Sequence, residues 1–218
     1  MNKFISVAVD GPAGAGKSSV SKAVAKKLGF IYVDTGAMYR ACALYALENG
    51  LEIEEKALLG VLDDINIQIK YDDNGQIILL NGKDVSKDIR KPEVSMGASK
   101  IAAIPAVRLK LVELQRKLAE NDNVIMDGRD IGTYVLPDAS VKVYLTASAE
   151  ARAKRRYDEM TGEKDFETVK KDIINRDEND MKREFAPLKK ADDAYVIDSS
   201  DMSFDEVCEK LEKLIALA

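Results

Sequence analysis

The segment Gly11-Pro12-Ala13-Gly14-Ala15-Gly16-Lys17-Ser18 constrains the fold more than any other part of the sequence. It follows the apolar run 4–9 and precedes a stretch, 18–28, whose apolar residues recur with helical spacing. A glycine-rich loop between a buried strand and a helix turns successive backbone N–H groups inward and aims the helix dipole at the same point, which suits a polyphosphate. A tight glycine turn without a ligand is the alternative, and the full motif in this context disfavours it.

The same loop predicts how ATP and a metal ion bind. Lys17 would reach the β- and γ-phosphates, and the Ser18 hydroxyl would bind Mg²⁺. A carboxylate at the end of a buried strand would complete the metal site through water, with Asp127 as the first candidate and Asp10 as the second. The predicted ATP-binding residues are Gly11, Pro12, Ala13, Gly14, Ala15, Gly16, Lys17, Ser18 and Ser19.

Short apolar runs alternate with helical patterns along the chain, which predicts an α/β fold with a parallel sheet covered by helices. The predicted strands are 4–9, 30–33, 124–126, 141–145 and 195–197, and the clearest helices are 18–28 and 38–47.

One stretch departs from this alternation. Segments 65–70 and 76–80 have strand character and flank Asp72-Asp73-Asn74-Gly75, whose Asn-Gly pair is a strong hairpin signal. Asn81-Gly82 is a second turn, after which Val85 could start a short third strand. This pattern predicts a small antiparallel meander inserted in the α/β fold.

Composition excludes several classes of function. The 218 residues carry a net charge of −5 and a basic face is not evident, which argues against a nucleic-acid partner. The sequence has no histidine, so zinc sites and histidine-based acid–base catalysis are excluded. Cys42 and Cys208 are far apart and read as buried thiols. With no signal peptide or membrane-length apolar stretch in the sequence, the protein is expected in the cytoplasm.

Arginines at loop and helix starts indicate a second anion beside the donor phosphates, because a guanidinium donates paired hydrogen bonds to phosphate oxygens. They include Arg40, Arg129 within Asp127-Gly128-Arg129-Asp130, and Arg155-Arg156. An acceptor that is itself a phosphate monoester needs no strong general base. No Asn-Lys-x-Asp motif of a GTPase is present.

Two patterns leave alternatives open. Arg176, Asp180 and Arg183 share one face of a predicted helix, and spacing alone favours an exposed salt-bridge ladder over a binding site. The charged segment 152–164 contains Gly162 and reads equally as a mobile flap or as a solvated helix end.

The motifs together resemble bacterial cytidylate kinase. The resemblance runs in order through nearly the whole chain and includes the meander. It rests on Gly11–Ser19, on Asp34-Thr35-Gly36-Ala37-Met38-Tyr39-Arg40, on Asp127-Gly128-Arg129-Asp130-Ile131-Gly132-Thr133, and on Arg176-Asp177 to Arg183 with Ala186-Pro187-Leu188.

This resemblance implies a P-loop NTPase fold with a nucleoside-monophosphate-binding domain and a short lid. The implied core is 1–35, 101–151 and 165–218, the monophosphate-binding domain is 36–100 with its β insertion at about 61–90, and the lid is 152–164. The implied reaction is phosphoryl transfer from ATP, with Mg²⁺, to CMP or dCMP by a monomeric enzyme.

The resemblance also implies residue roles. Thr35, Arg40 and Arg129 would hold the acceptor phosphate; Thr35 replaces the Ser of the family pattern and keeps its hydroxyl. Ser99, Arg108 and Asp130 would read cytosine, with Asp130 accepting from its N4 amino group. Ser99 could instead be a helix-surface serine. Arg176 and Asp180 would contact the sugar, and Arg183 the phosphates. The predicted catalytic residues are Lys17, Arg129, Arg155, Arg156 and Arg183.

Other functions predict different behaviour. A kinase for AMP, UMP or shikimate would differ in the base-reading residues and the meander. A regulatory nucleotide switch would bind ATP and hydrolyse it slowly, without acceleration by any monophosphate. A nucleic-acid-processing ATPase is disfavoured by the acidic balance.

Overall fold

The computed structural model describes residues 4–72, 75–160 and 165–218. The chain divides into two compact units, 1–32 with 119–218, and 33–118. The boundaries fall within the second strand and at the end of the fifth helix. In the described part of the chain, no helix is long and apolar enough to span a bilayer.

The first unit is built on a five-stranded sheet. Its strands are β1 (Ser6–Asp10), β2 (Ile31–Asp34), β6 (Val124–Gly128), β7 (Val141–Thr146) and β8 (Tyr195–Asp198). They lie in the order β2-β6-β1-β7-β8. Pairings β1–β6, β1–β7 and β7–β8 are parallel, as the alternation of strands and helices predicts. The predicted parallel-sheet fold is confirmed, and each predicted strand lies within two residues of its observed bounds.

Helices of the first unit pack on this sheet through apolar side chains. Val20 and Val24 of α1 and Val207 and Leu211 of α8 join the buried strand residues in one core cluster. The helices are α1 (Lys17–Leu28), α6 (Ala149–Asp158), α7 (Phe166–Met181) and α8 (Phe204–Ile215), with a π-helical turn at Ile131–Val135. The sheet therefore places the carboxyl ends of β1 and β6 beside the loop that precedes α1.

The second unit has its own core around α2 (Thr35–Glu48) and α4 (Pro92–Ile101). It also contains α3 (Glu55–Leu59), α5 (Pro105–Ala119) and 3₁₀ turns at Leu62–Asp64 and Asp88–Arg90. Val107 and Leu111 of α5 belong to this core, so α5 lies with the second unit and not with the P-loop core to which 101–151 was predicted to belong. Cys42 and Cys208 are both buried and free, as predicted.

The predicted meander is present as β3 (Ile67–Asp72), β4 (Gly75–Leu80) and β5 (Lys83–Asp84). Asp73 and Asn74, in the first predicted turn, lie outside the described residues. The second turn places Asn81 and Gly82 at φ 49° and 83°, the left-handed conformation that a two-residue hairpin turn requires. Because this turn reverses the chain at once, β5 begins at Lys83 and ends before Val85, where the third strand was expected.

Candidate active site

The phosphate loop lies between β1 and α1, as the motif predicts. Gly11 has φ 146°, and a Cβ there would lie 1.9 Å from the carbonyl oxygen of Leu145 in β7, so the loop can leave the sheet only with glycine at this position. Gly16 adopts a left-handed conformation at the N-cap of α1. The loop therefore ends with the free N–H groups of the α1 N-terminus, a favourable position for an anion.

Lys17 is buried at the first position of α1, and its ammonium donates a 2.8 Å hydrogen bond to the carbonyl of Pro12. Burial, together with the charge of Arg129, lowers the pKa of Lys17 to about 7, although Asp127 and Asp10 act in the opposite direction. A bound polyphosphate would supply the negative charge that the buried ammonium lacks. Two of its three donors remain for phosphate oxygens beside the Pro12 bond.

Ser18 and Asp127 lie together at the end of the loop. The Ser18 hydroxyl donates to Asp127 Oδ2 at 2.7 Å, and the Tyr32 hydroxyl donates to Oδ1 at 2.9 Å. A hydroxyl and one fixed carboxylate suit Mg²⁺, which keeps most of its waters and shares phosphate oxygens in kinase sites. These two residues therefore fit a magnesium ion bound with ATP. Nowhere in the described parts of the chain do three or more His, Cys, Asp or Glu side chains gather as a potential metal cluster.

Asp10, the second candidate for the metal, has a different arrangement. Its two carboxylate oxygens accept the backbone N–H groups of Ile131 and Gly132 at 2.8 and 2.7 Å. Burial raises the pKa of Asp10 to about 7 against the lowering effect of these bonds. The carboxylate thus fixes the turn that follows Arg129 and Asp130, and Asp127 is the better placed of the two candidates.

Asp180 binds two of the predicted acceptor arginines. Its oxygens accept from Arg129 Nε and from Arg183 Nη2, each at 2.7 Å. Burial tends to raise the pKa of Asp180, but the charges of Arg129 and Arg183 outweigh it, and the pKa lies below its usual value. The side chain of Asp180 is 7% exposed, so the contacts form a buried cluster and not the exposed ladder that spacing alone favoured.

The end of α7 explains this difference. Arg176 and Asp180 are both helical, but α7 ends at Met181 and Arg183 lies beyond it. The carbonyl of Asp180 accepts from the N–H of Leu188, and Ala186 between them has φ 48°. The Ala-Pro-Leu segment therefore folds back on the helix end, and Arg183 reaches Asp180 from the loop. Arg176 is exposed, and its charge contributes to the lowered pKa of Asp180.

In the second unit, the Asp-Thr-Gly-Ala-Met-Tyr-Arg motif forms the start of α2. Asp34 caps the helix by accepting the N–H of Ala37 at 2.9 Å, and its other oxygen accepts from Arg40 Nη2 at 2.8 Å. Arg40 Nε is buried and has no hydrogen-bond partner among the described residues. Thr35, the residue after Asp34, is also buried.

Arg108 is the most unusual residue of the second unit, because only 1% of its surface is exposed. Its guanidinium lies 5.5 Å from the centroid of the Tyr39 ring, and Nη1 donates to the carbonyl of Ala102. Ser99 is half-buried in α4. Asp130, the third predicted base-reading residue, is buried in the first unit.

Seven residues of the predicted flap, 152–158, form the C-terminal part of α6. Residues 161–164 lie outside the described residues. Arg155 donates through Nη1 and Nη2 to the hydroxyl and carbonyl of Ser199, whereas Arg156 is 57% exposed beside Glu159. Arg152, at the start of this segment, is buried, so its side chain is not solvated. The lid at 152–164 stays a prediction.

A comparison with models of protein families shows to which family the chain belongs. The family model described as cytidylate kinase matches residues 7–217. The chain belongs to the cytidylate kinase family.

Relatives named cytidylate kinase align over nearly their full length. The protein of Caldicellulosiruptor saccharolyticus is 53% identical over 97% of this chain and 96% of its own length. Those of Lactobacillus johnsonii and Geobacillus sp. strain WCH70 are 49% and 48% identical over 99% of this chain and 95% and 98% of their own lengths.

Solved structures show the same fold at low sequence identity. A shikimate kinase from Acinetobacter baumannii, solved with shikimate, has a TM-score of 0.51 at 15% identity and covers 99% of this chain and 95% of that protein. A gluconokinase from Sinorhizobium meliloti has a TM-score of 0.52 at 13% identity, with 100% and 94% covered. The P-loop kinase fold predicted for this cytidylate kinase family member is confirmed.

Three contacts at the phosphate loop were not predicted from sequence. Tyr32 holds Asp127, Ser199 holds the carbonyl of Ala15, and Arg152 pairs with Asp177 against Ala13. Asp177 belongs to the motif that runs from Arg176-Asp177 to Arg183, and this motif was the sequence feature that pointed to it. Tyr32, within β2, and Ser199, directly after β8, carried no sequence signal.

Proposed function

We propose that this protein transfers the γ-phosphoryl group of ATP to CMP or dCMP, giving ADP and CDP or dCDP. The observation that supports this most directly is the phosphate loop with Lys17, Ser18 and Asp127 in place, in a chain of the cytidylate kinase family. Acceptor specificity, the site residues and the magnesium requirement are parts of the same proposal.

In the donor half of the reaction, the loop N–H groups and Lys17 bind the β- and γ-phosphates. Ser18 and Asp127 would hold Mg²⁺, which would supply positive charge to the same phosphates. Burial and the charge of Arg129 lower the pKa of Lys17 to about 7 in the free protein, and a bound phosphate would favour the charged ammonium. Arg155 or Arg156 would neutralise charge on the transferred group.

The acceptor half requires an oxygen of the monophosphate to attack the γ-phosphorus in line with the leaving ADP oxygen. Arg40 offers a buried Nε donor with no protein partner among the described residues, and Nη2 of Arg129 takes no part in the bonds of that guanidinium to Asp180 and Gly128. With Thr35, these donors would hold the acceptor phosphate. Arg176, Asp180 and Arg183 would hold the sugar and the phosphates.

Cytosine recognition would use Asp130 as an acceptor for the N4 amino group and Arg108 and Ser99 as donors to N3 and O2. Uracil would set its O4 acceptor against the carboxylate and leave a buried polar group unpaired. The complete burial of Arg108 and Asp130 supports this selection, because mispairing is costly away from water.

The proposal includes a cytoplasmic, monomeric enzyme. The decisive experiment follows ADP formation from Mg²⁺·ATP with CMP, dCMP, UMP, AMP, GMP and shikimate offered separately. Fast turnover with CMP and dCMP and much slower turnover with UMP are expected. Fast turnover with another acceptor would contradict the proposed specificity for cytosine nucleotides but keep the kinase activity. If none of the acceptors accelerates ADP formation, the kinase proposal fails and a regulatory nucleotide switch is the better hypothesis.

A further inference from the structure

Two residues outside the phosphate motif hold one of its members, Ala13. The N–H of Ala13 donates to Asp177 Oδ1 at 3.3 Å, and its carbonyl accepts from Arg152 Nη1 at 3.0 Å. Arg152 in α6 and Asp177 in α7 are themselves paired, with Nη1 2.5 Å from Oδ2. The Nε of Arg152 donates to the carbonyl of Ala147, so the guanidinium is fixed at both ends.

These bonds determine the direction of the neighbouring loop amides. A trans peptide is planar, with its C=O and N–H pointing in opposite directions. Because the carbonyl of Ala13 points at Arg152, the N–H of Gly14 in the same peptide points to the opposite side. Because the N–H of Ala13 points at Asp177, the carbonyl of Pro12 points away from it, and that carbonyl accepts from Lys17.

We propose that the Arg152–Asp177 ion pair positions the phosphate loop for ATP: it holds Ala13 so that the N–H of Gly14 faces the bound phosphates. Arg152 and Asp177 are positioning residues, since they act through the Ala13 peptides. This inference rests on the proposed use of ATP, and it is independent of the acceptor.

The pair is not needed to attach α6 to α7. Ala153 of α6 and Val169 and Ile173 of α7 form their own buried cluster, with Met160 and Phe166 packed against it. A buried ion pair contributes little net stability compared with apolar side chains of similar volume. Its two side chains, 7% and 10% exposed, therefore make their main contribution through orientation of the loop.

The test uses two variants of the full-length protein. Arg152→Met/Asp177→Leu replaces the pair with apolar side chains, which avoids a buried unpaired charge and leaves the Ala13 peptides without either partner. Arg152→Lys keeps a charge for Asp177 but cannot donate to Asp177, Ala13 and Ala147 with one planar fork. Lys154→Ala and Glu178→Gln, exposed neighbours on the same two helices, are the matched controls.

Mg²⁺·ADP binding is measured by calorimetry, and the KM values for ATP and CMP by steady-state kinetics. We expect Mg²⁺·ADP to bind about tenfold more weakly to the double variant than to wild type, and to Arg152→Lys also more weakly than to wild type but by a smaller factor, with the KM for CMP within about twofold. Thermal unfolding midpoints near that of wild type would show that the fold is kept.

Wild-type Mg²⁺·ADP affinity in both folded variants would overturn the inference, and so would an equal loss of ATP and CMP binding. If the double variant does not fold, Arg152→Lys against Lys154→Ala decides in the same way. If wild-type protein binds Mg²⁺·ADP but transfers no phosphoryl group from ATP to CMP or dCMP, only the proposed function is contradicted. The ADP titration of the variants still tests the role of the ion pair.

Discussion

Arg129 and Asp180 form a buried ion pair with Nε 2.7 Å from Oδ2, although both are predicted to bind the acceptor nucleotide. The pair uses one nitrogen of Arg129 for Asp180 and one for the carbonyl of Gly128. Asp180 therefore orients the guanidinium in the free protein, and for the proposed acceptor-phosphate site this reduces the cost of ordering it.

Arg129→Ala should remove most turnover and keep the fold. We expect kcat/KM for CMP to fall by at least about 100-fold, because a positioned donor to developing phosphate charge is lost. Asp180 retains Arg183 as a partner, so its carboxylate is not left unpaired. Arg116→Ala, an exposed arginine of α5, is the control, and near-wild-type turnover in Arg129→Ala would contradict the assignment.

Asp130→Asn should change acceptor specificity more than donor binding. The amide can present an N–H donor to O4 of uracil, so the ratio of kcat/KM for UMP to that for CMP should rise by about tenfold or more. The KM for ATP should stay within about twofold. A variant that loses CMP and UMP turnover in equal proportion would show that Asp130 does not read the base.

Lys17 predicts a pH effect on nucleotide binding. Its pKa is about 7 in the free protein, and phosphate charge should raise it, so ADP binding near pH 8 should take up about one proton. Calorimetry in buffers of different ionisation enthalpy measures this uptake. Lys17→Met should show a smaller uptake; an unchanged value would assign the proton to another group.

The same lowered pKa predicts how stability changes with pH. Between about pH 7 and 10.5 the unfolded chain holds more protons on Lys17 than the folded chain does, so this group makes stability rise with pH. Lys17→Met should flatten that rise in urea-unfolding measurements. The prediction would be contradicted if the free energy of unfolding of wild type fell between about pH 7 and 10.5 and Lys17→Met showed the same pH dependence.

The proposed magnesium site predicts a graded dependence of the rate on magnesium. Asp127→Asn and Ser18→Ala should raise the magnesium concentration for half-maximal rate by about tenfold or more, since each removes a preferred oxygen ligand or its fixed partner. Tyr32→Phe removes only the hydroxyl that donates to Asp127 and should have a smaller effect in the same direction. An unchanged magnesium requirement in Asp127→Asn would exclude that carboxylate.

Local pattern was sufficient for much of the fold. The apolar runs gave β1, β2, β6, β7 and β8, because strands buried in a parallel sheet are apolar along their length. The phosphate motif and the Asn81-Gly82 turn were equally direct, since each requires backbone conformations that few residues adopt.

Side chains that meet across long sequence separations could not be predicted in the same way. Arg152 lies in a charged segment that reads as a mobile flap or as a solvated helix end, yet its side chain is buried and paired with Asp177. Arg183 has helical spacing from Asp180, but the helix ends before it. The placement of α5 likewise depends on which core accepts Val107 and Leu111, and periodicity gives only the apolar face.

The bonds to Ala13 come from residues 139 and 164 positions further along the chain. During synthesis, a nascent chain therefore contains the entire phosphate motif long before Arg152 and Asp177 have left the ribosome. Such a chain has the residues to bind ATP but not the contacts that orient the Ala13 peptides. Tight nucleotide binding should accordingly appear late in translation, after α7 has emerged, and ATP would stabilise the finished fold without stabilising its early intermediates.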